Sequence, residues 1–392
     1  MLLLENRTVL RLFICQALYW SCAMVGITLT ALIGLQLAPL NILATLPLAL
    51  LVLGNLLAVQ PLSVFMQRRG RRAGFMLGAA CGVVGGLISA LGVWLGDFSL
   101  LCLGALPTGA YQASSMFYRF AALEAVSESE KGRATAYVIA GGVVAALIAP
   151  SLMQLSKTLI SAPFVGAYLL VAVLAAGAGL ILSQLAGGSL ITPAPGGFGA
   201  MRELLTRPIV RAAITTTAVA HGLMILVMNA TPLAMQMCGF AIEQSTQVIQ
   251  WHLLGMFLPA FFAGPLVDKL GSLTVAVLGA LILLASAGIG FSGIGQAYFM
   301  ISSVLLGVGW NLMLVAGTTL LAQGYAAHER GHAQGLMELS NGSVAALASF
   351  ASGALINSLG WGAVNIGMLP LIILALMMLW PVRGGKAQLS GS

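Results

Sequence analysis

Twelve apolar runs of about 20 residues, parted by short stretches of Gly, Pro and charge, constrain this 392-residue chain more than any other feature. A helix rises 1.5 Å per residue, so each run is long enough to cross a hydrocarbon core of ~30 Å. The runs fall at about 8–35, 40–66, 73–95, 98–122, 133–155, 161–186, 209–232, 244–267, 273–293, 296–322, 332–358 and 362–382, numbered here as spans 1 to 12. Composition agrees with that reading. Only 27 residues are charged, 17 Lys and Arg plus 10 Asp and Glu, where a soluble chain of this length would carry about 98. The chain therefore reads as an all-α polytopic membrane protein, and a soluble enzyme is excluded. No segment resembles a nucleotide-binding loop, so neither ATP nor a cofactor is expected.

The formal charge of +7 raises the question of an anionic partner, which the layout of the charges answers. An even number of spans leaves both termini on one side. Sixteen of the 17 basic residues then fall on that side or at its helix ends, and only Lys157 lies opposite. Basic residues resist translocation, so this side is expected to be cytoplasmic, and the lipid bilayer rather than nucleic acid is the partner. Residues 1–11 lead straight into the first span without the pattern of a cleaved signal.

The chain also repeats itself. Val144-Ala145-Ala146-Leu147 recurs as Val344-Ala345-Ala346-Leu347, and Glu130-Lys131-Gly132-Arg133-Ala134 matches Glu329-Arg330-Gly331-His332-Ala333, at offsets of 200 and 199. The polar stretch 187–208, rich in Gly, Pro and Ser, divides a six-span half, 1–186, from a second, 209–392. Two parallel six-helix repeats describe the major facilitator architecture, whose substrate site lies near the bilayer midplane. The loop Gly264-Pro265-Leu266-Val267-Asp268-Lys269-Leu270-Gly271 resembles that family's signature between spans 8 and 9. Its partner in the first half keeps Gly70-Arg71-Arg72 but has Gln67 where the family usually has Asp. The resemblance implies gate roles for Asp268 and Arg71, and Glu338 is expected to pair there with an Arg of 68–72 or with Arg119.

Ionisable groups inside spans are costly and so are functional candidates. Spans 7 and 8 carry His221, Met224 and Met228 at i, i+3 and i+7, and His252 and Met256 at i, i+4, each set on one helix face. Five of the 18 methionines lie between residues 224 and 256, where even spreading would place about 1.5. For a turn centred near residue 238, Met224 stands level with His252 and His221 with Met256. Thioether and imidazole donors suit copper, above all Cu(I). Met also fills apolar helices, however, and a membrane His commonly bonds a nearby carbonyl.

The paired Met224-x-x-x-Met228 and His252-x-x-x-Met256 motifs, with Asn229 to Met235 and Val248 to Trp251 around them, are similar to the CcoA-like copper importer branch. That resemblance implies copper import across a bacterial cytoplasmic membrane for cytochrome oxidase assembly, with Met224, Met228, His252 and Met256 as ligands and a cytoplasmic copper chaperone among the partners. Copper is then substrate, not cofactor. A second reading is an importer of a small organic solute such as riboflavin, for which His221, Tyr111, Gln112, Trp310 and Asn311 would supply stacking and hydrogen bonds. A third is a receptor or assembly factor without transport. His328 and His332, spaced i, i+4 in a loop, offer a weaker exit site, and Cys15 and Cys22 share a face of span 1.

Overall fold

Apolar sequence leaves the backbone little choice in a bilayer: its polar groups must bond within each segment, which helices achieve. A computed structural model describes residues 5–40, 43–158, 164–186 and 198–383. Helix makes up 89% of it, with no strand among the described residues. Nine helical runs among those residues are long and apolar enough to cross a membrane, and one of them, Ala327–Leu379, is long enough to do so twice. The protein is a multi-pass membrane protein. Of the expected linker, residues 187–197 lie outside the described residues and the remainder holds a short helix.

The chain forms two units. The first comprises Met1–Ala125, Val138–Ala194 and Arg330–Leu339. It contains α1 (Arg7–Leu37), α2 (Leu46–Arg69), α3 (Arg71–Leu95), α4 (Phe98–Met116), α5 (Tyr118–Glu124), most of α6 (Lys131–Thr158) and α7 (Val165–Leu182). The second comprises Val126–Tyr137, Pro195–Glu329 and Ser340–Ser392. It contains α8 (Phe198–Leu204), α9 (Pro208–Met237), α10 (Ile242–Phe257), α11 (Ala260–Leu270), α12 (Ser272–Ser292), α13 (Gln296–Leu321), most of α14 (Arg330–Ile366) and α15 (Met368–Leu379). Each unit thus includes the opening turns of the fifth span of the other sequence half.

Spans 4 and 8 are each built from two helices, broken at Phe117 and at Leu258-Pro259. Spans 11 and 12 meet at Gly360, whose φ of 78° turns the chain where an L side chain would be strained. Packing repeats with the sequence: α4 lies against α2 and α3 in the first unit, and α13 against the equivalent α10 and α12 in the second. Close approach in the first unit depends on small residues, as is usual between helices in lipid. A Cβ on Gly109 would stand 2.1 Å from the Leu51 carbonyl oxygen, and one on Gly54 2.2 Å from that of Leu106. Gly109→Val should therefore cost at least the ~1–3 kcal/mol of an overpacked core, read as a lower unfolding midpoint in detergent. Cys15 and Cys22 are packing groups: their thiols donate to the carbonyls of Ala178 and Val171 on α7, both at 3.7 Å.

Candidate functional site

The turn between α9 and α10 occupies residues 238–241. Counting back from it puts Met228, rather than Met224, at the level of His252, and Met224 at the level of Met256. The two helices touch each other sparingly, and each runs along α13 instead. Met224, His252 and Met256 are buried and Met228 and His221 half-buried.

Both histidines take partners that the sequence could not name. His252 donates from Nδ1 to the Ser303 carbonyl of α13 at 2.7 Å. A carbonyl only accepts, so the proton sits on Nδ1 and Nε2 keeps its lone pair. His221 donates from Nδ1 to the Thr217 carbonyl at 3.1 Å, and its ring meets Trp310 edge-on with centroids 5.5 Å apart. Phe257 also meets that indole edge-on, at 6.2 Å and an interplanar angle of 89°. Asn311 donates from Nδ2 to the Met256 carbonyl at 2.7 Å. Gly307 lets α10 and α13 approach: a Cβ there would lie 2.6 Å from the Met256 nitrogen and 2.8 Å from the His252 oxygen. On α9, α10 and α13 the second unit thus brings His221 and Phe257 to the Trp310 indole, His252 to Ser303 and Asn311 to Met256, while Met224 is buried on α9. Tyr111 is buried in the first unit with its ring edge-on to Tyr19 at 5.7 Å, and Gln112 follows it.

The signature loops are built alike. Gly70 and Gly271 end α2 and α11 at φ 89° and 83° and ψ 157° and 150°. One turn before each glycine sits the residue that caps a helix start. Asp268 accepts from the Gly132 amide at 2.9 Å, the Arg133 amide at 3.3 Å and Arg133 Nε at 2.9 Å. Gln67 accepts from the Gly331 amide at 2.8 Å. The unusual glutamine thus makes the cap that a carboxylate makes in the second unit, since a neutral amide oxygen also satisfies the open N–H groups of a helix start.

Charge in the first unit is concentrated elsewhere. Arg71 grips Glu124 through two bonds, at 2.6 and 3.2 Å, and also donates to Gln334. Arg330 and Gln334 reach the same carboxylate at 3.3 and 3.2 Å. Burial pushes the Glu124 carboxyl up, but Arg71 and Arg330 outweigh it and hold the group below the ordinary carboxylate range. Glu338 pairs with Arg119, one of the two partners the sequence suggests, and both side chains are buried. His332 accepts from the Gln60 amide at 3.3 Å. Sequence reasoning missed Glu124, Gln334 and Gln60. The offset repeat, which aligns Gln67 with Asp268 and Gly331 with Gly132, was the signal that could have located the Gln67 cap.

A sequence model of the Major Facilitator Superfamily matches residues 216–390. The riboflavin transporter RfnT of Brucella anthropi is 34% identical over 379 residues, 95% of each chain. Among solved structures, the proton:xylose symporter XylE superposes with a TM-score of 0.79 at 14% identity over 96% of this chain and 95% of that one. The fucose:proton symporter FucP of E. coli gives 0.77 at 12% identity over 97% and 98%. Those two likenesses speak for the fold alone. The full-length match is a different matter, and with it the chain belongs to the Major Facilitator Superfamily of transporters.

Proposed function

We propose that this chain carries riboflavin, or a flavin close to it, inward across a bacterial cytoplasmic membrane by alternating access, with both termini on the cytoplasmic side. The observation that carries this reading is the 34% identity to a riboflavin transporter across 95% of both chains. Against it, the resemblance to copper importers spans about 35 residues of a methionine-rich stretch, and a short motif of common membrane residues carries less weight than a full-length match. An aromatic and hydrogen-bonding set on α9, α10 and α13 suits a flat, neutral, polar solute.

Copper import is the second reading, and one feature favours it. His252 is oriented by a backbone carbonyl on one ring nitrogen with the other left as a donor atom, as in many metal sites, and Met224 and Met256 are buried in the same unit.

Uptake of labelled riboflavin and of radioactive copper into cells expressing the chain separates the two. Riboflavin uptake should rise well above the empty-vector level, and Met224→Leu/Met256→Leu, which removes sulfur but little volume, should leave it within about twofold. Copper uptake abolished by that pair, with no flavin uptake in the parent, would replace the first reading by the second. Energetics offers a further check. A monovalent cation gains about 2.3 kcal/mol per 100 mV of interior-negative potential, and an uncharged flavin moving alone gains nothing. In vesicles with no pH gradient, an imposed potential should therefore leave flavin uptake unchanged.

A further inference from the structure

His252 Nε2, Trp310 Nε1 and Asn311 Oδ1 are among the polar atoms of the second unit that are buried and have no hydrogen-bond partner. Their side chains belong to residues 2%, 2% and 0% exposed. Orphans of this kind are rare in native proteins, because a buried polar group without a partner opposes folding. Here three of them fall along one helix seam. His252 hangs from Ser303, Asn311 holds the Met256 carbonyl, and Trp310 is its neighbour in the chain. Residues 303 to 311 cover roughly 12 Å of α13.

The bonds already made fix the sign of what is left. Nδ1 of His252 and Nδ2 of Asn311 are spent on carbonyls, so Nε2 and Oδ1 are acceptors. The indole N–H of Trp310 is a donor and nothing else. A bound cation would use the two acceptors, but it has no use for an N–H, whose positive end faces it. A neutral solute carrying both a carbonyl and N–H or O–H groups matches all three in sign.

We propose that Trp310, Asn311 and His252 are specificity-determining residues of this transporter, the indole N–H donating to a ring carbonyl of the solute while Asn311 Oδ1 and His252 Nε2 accept from its N–H or hydroxyl groups. The assignment rests on the flavin reading for the identity of the solute. Its hydrogen-bond polarity stands on the geometry alone.

Two variants test it in the full chain purified in detergent and in cells. Trp310→Phe keeps a ring and removes the donor; Asn311→Leu keeps the volume and removes the acceptor, together with the donor to the Met256 carbonyl. Each should raise the riboflavin KM about tenfold with a smaller change in maximal rate, the effect of one lost hydrogen bond. Trp310→Phe, which breaks no existing hydrogen bond, should also erase the upward shift that riboflavin causes in the unfolding midpoint of the parent. Asn311→Leu should lower the ligand-free midpoint, since it also removes the bond to the Met256 carbonyl, so only the ligand shift discriminates: a riboflavin shift that survives in full in both variants would overturn the proposal. So would copper binding by the parent that both variants retain. A parent that shows neither riboflavin uptake nor a riboflavin shift would overturn the flavin reading and this assignment with it, whereas a responsive parent with equally responsive variants would overturn the assignment alone.

Discussion

Glu338→Ala should remove roughly 3–5 kcal/mol of stability, the largest loss expected of any single polar substitution in the chain, because it leaves the Arg119 guanidinium buried without its carboxylate. The two side chains are 6% and 3% exposed, so water cannot take over. Arg119 also lies 4.9 Å from the Phe120 ring and donates to the Met116 carbonyl at 3.2 Å, which orient it but do not neutralise it. Glu338→Gln keeps a hydrogen-bond acceptor and should be milder, slowing transport without changing the gradient that drives it. Arg119→Leu/Glu338→Leu should recover most of the lost stability while transport stays lost. Heat unfolding in detergent, read beside uptake, follows all three. A fully stable Glu338→Ala protein would mean that the pair contributes little to the fold.

The signature loops supply the second large effect, and the protein holds its own control for it. Gln67 caps Gly331 as a neutral amide, whereas Asp268 caps Gly132 and Arg133 as a carboxylate. If acceptance of the helix N–H is what matters, Asp268→Asn should keep at least half of the transport rate. Asp268→Ala and Gln67→Ala, which strand buried amides at about 1–3 kcal/mol each, should lower it tenfold or more. Equal loss in Asp268→Asn and Asp268→Ala would instead assign the function of that loop to the charge and to its ion pair with Arg133, 2.9 Å long.

Much of the fold was legible because it is written in features with a period or an offset. Apolar runs of bilayer length, basic residues gathered on one side and the copies near 130 and 330 together read as a twelve-span, two-repeat major facilitator protein. The site was less legible. Levelling spans 7 and 8 against each other assumed that chain neighbours pack together, whereas α9 and α10 both lie against α13. Nothing near residue 252 announces that its imidazole will bond Ser303, fifty-one positions away. The glutamine at 67 looked like a degenerate signature, since sequence shows the missing charge and not the retained hydrogen bond. Methionines at helical spacing suggest a metal, and sequence could not show that Asn311, a turn past Gly307, bonds the Met256 carbonyl.

The ion pair of Arg119 with Glu338 also has a consequence in time. Its partners are 219 residues apart in the chain. A ribosome adding 5–20 residues per second needs roughly ten to forty seconds to cover that distance. During this interval the nascent first half holds a guanidinium whose counter-ion has not been made. Asp268 meets the converse situation, since Gly132 and Arg133 have emerged long before it. The first half must therefore wait with Arg119 solvated by water or lipid headgroups, and its last packing step belongs to the arrival of residues 330–339. Expressed alone, residues 1–186 would lack Glu338 and residues 209–392 would lack Gly132 and Arg133, so each half needs its sibling in the same membrane.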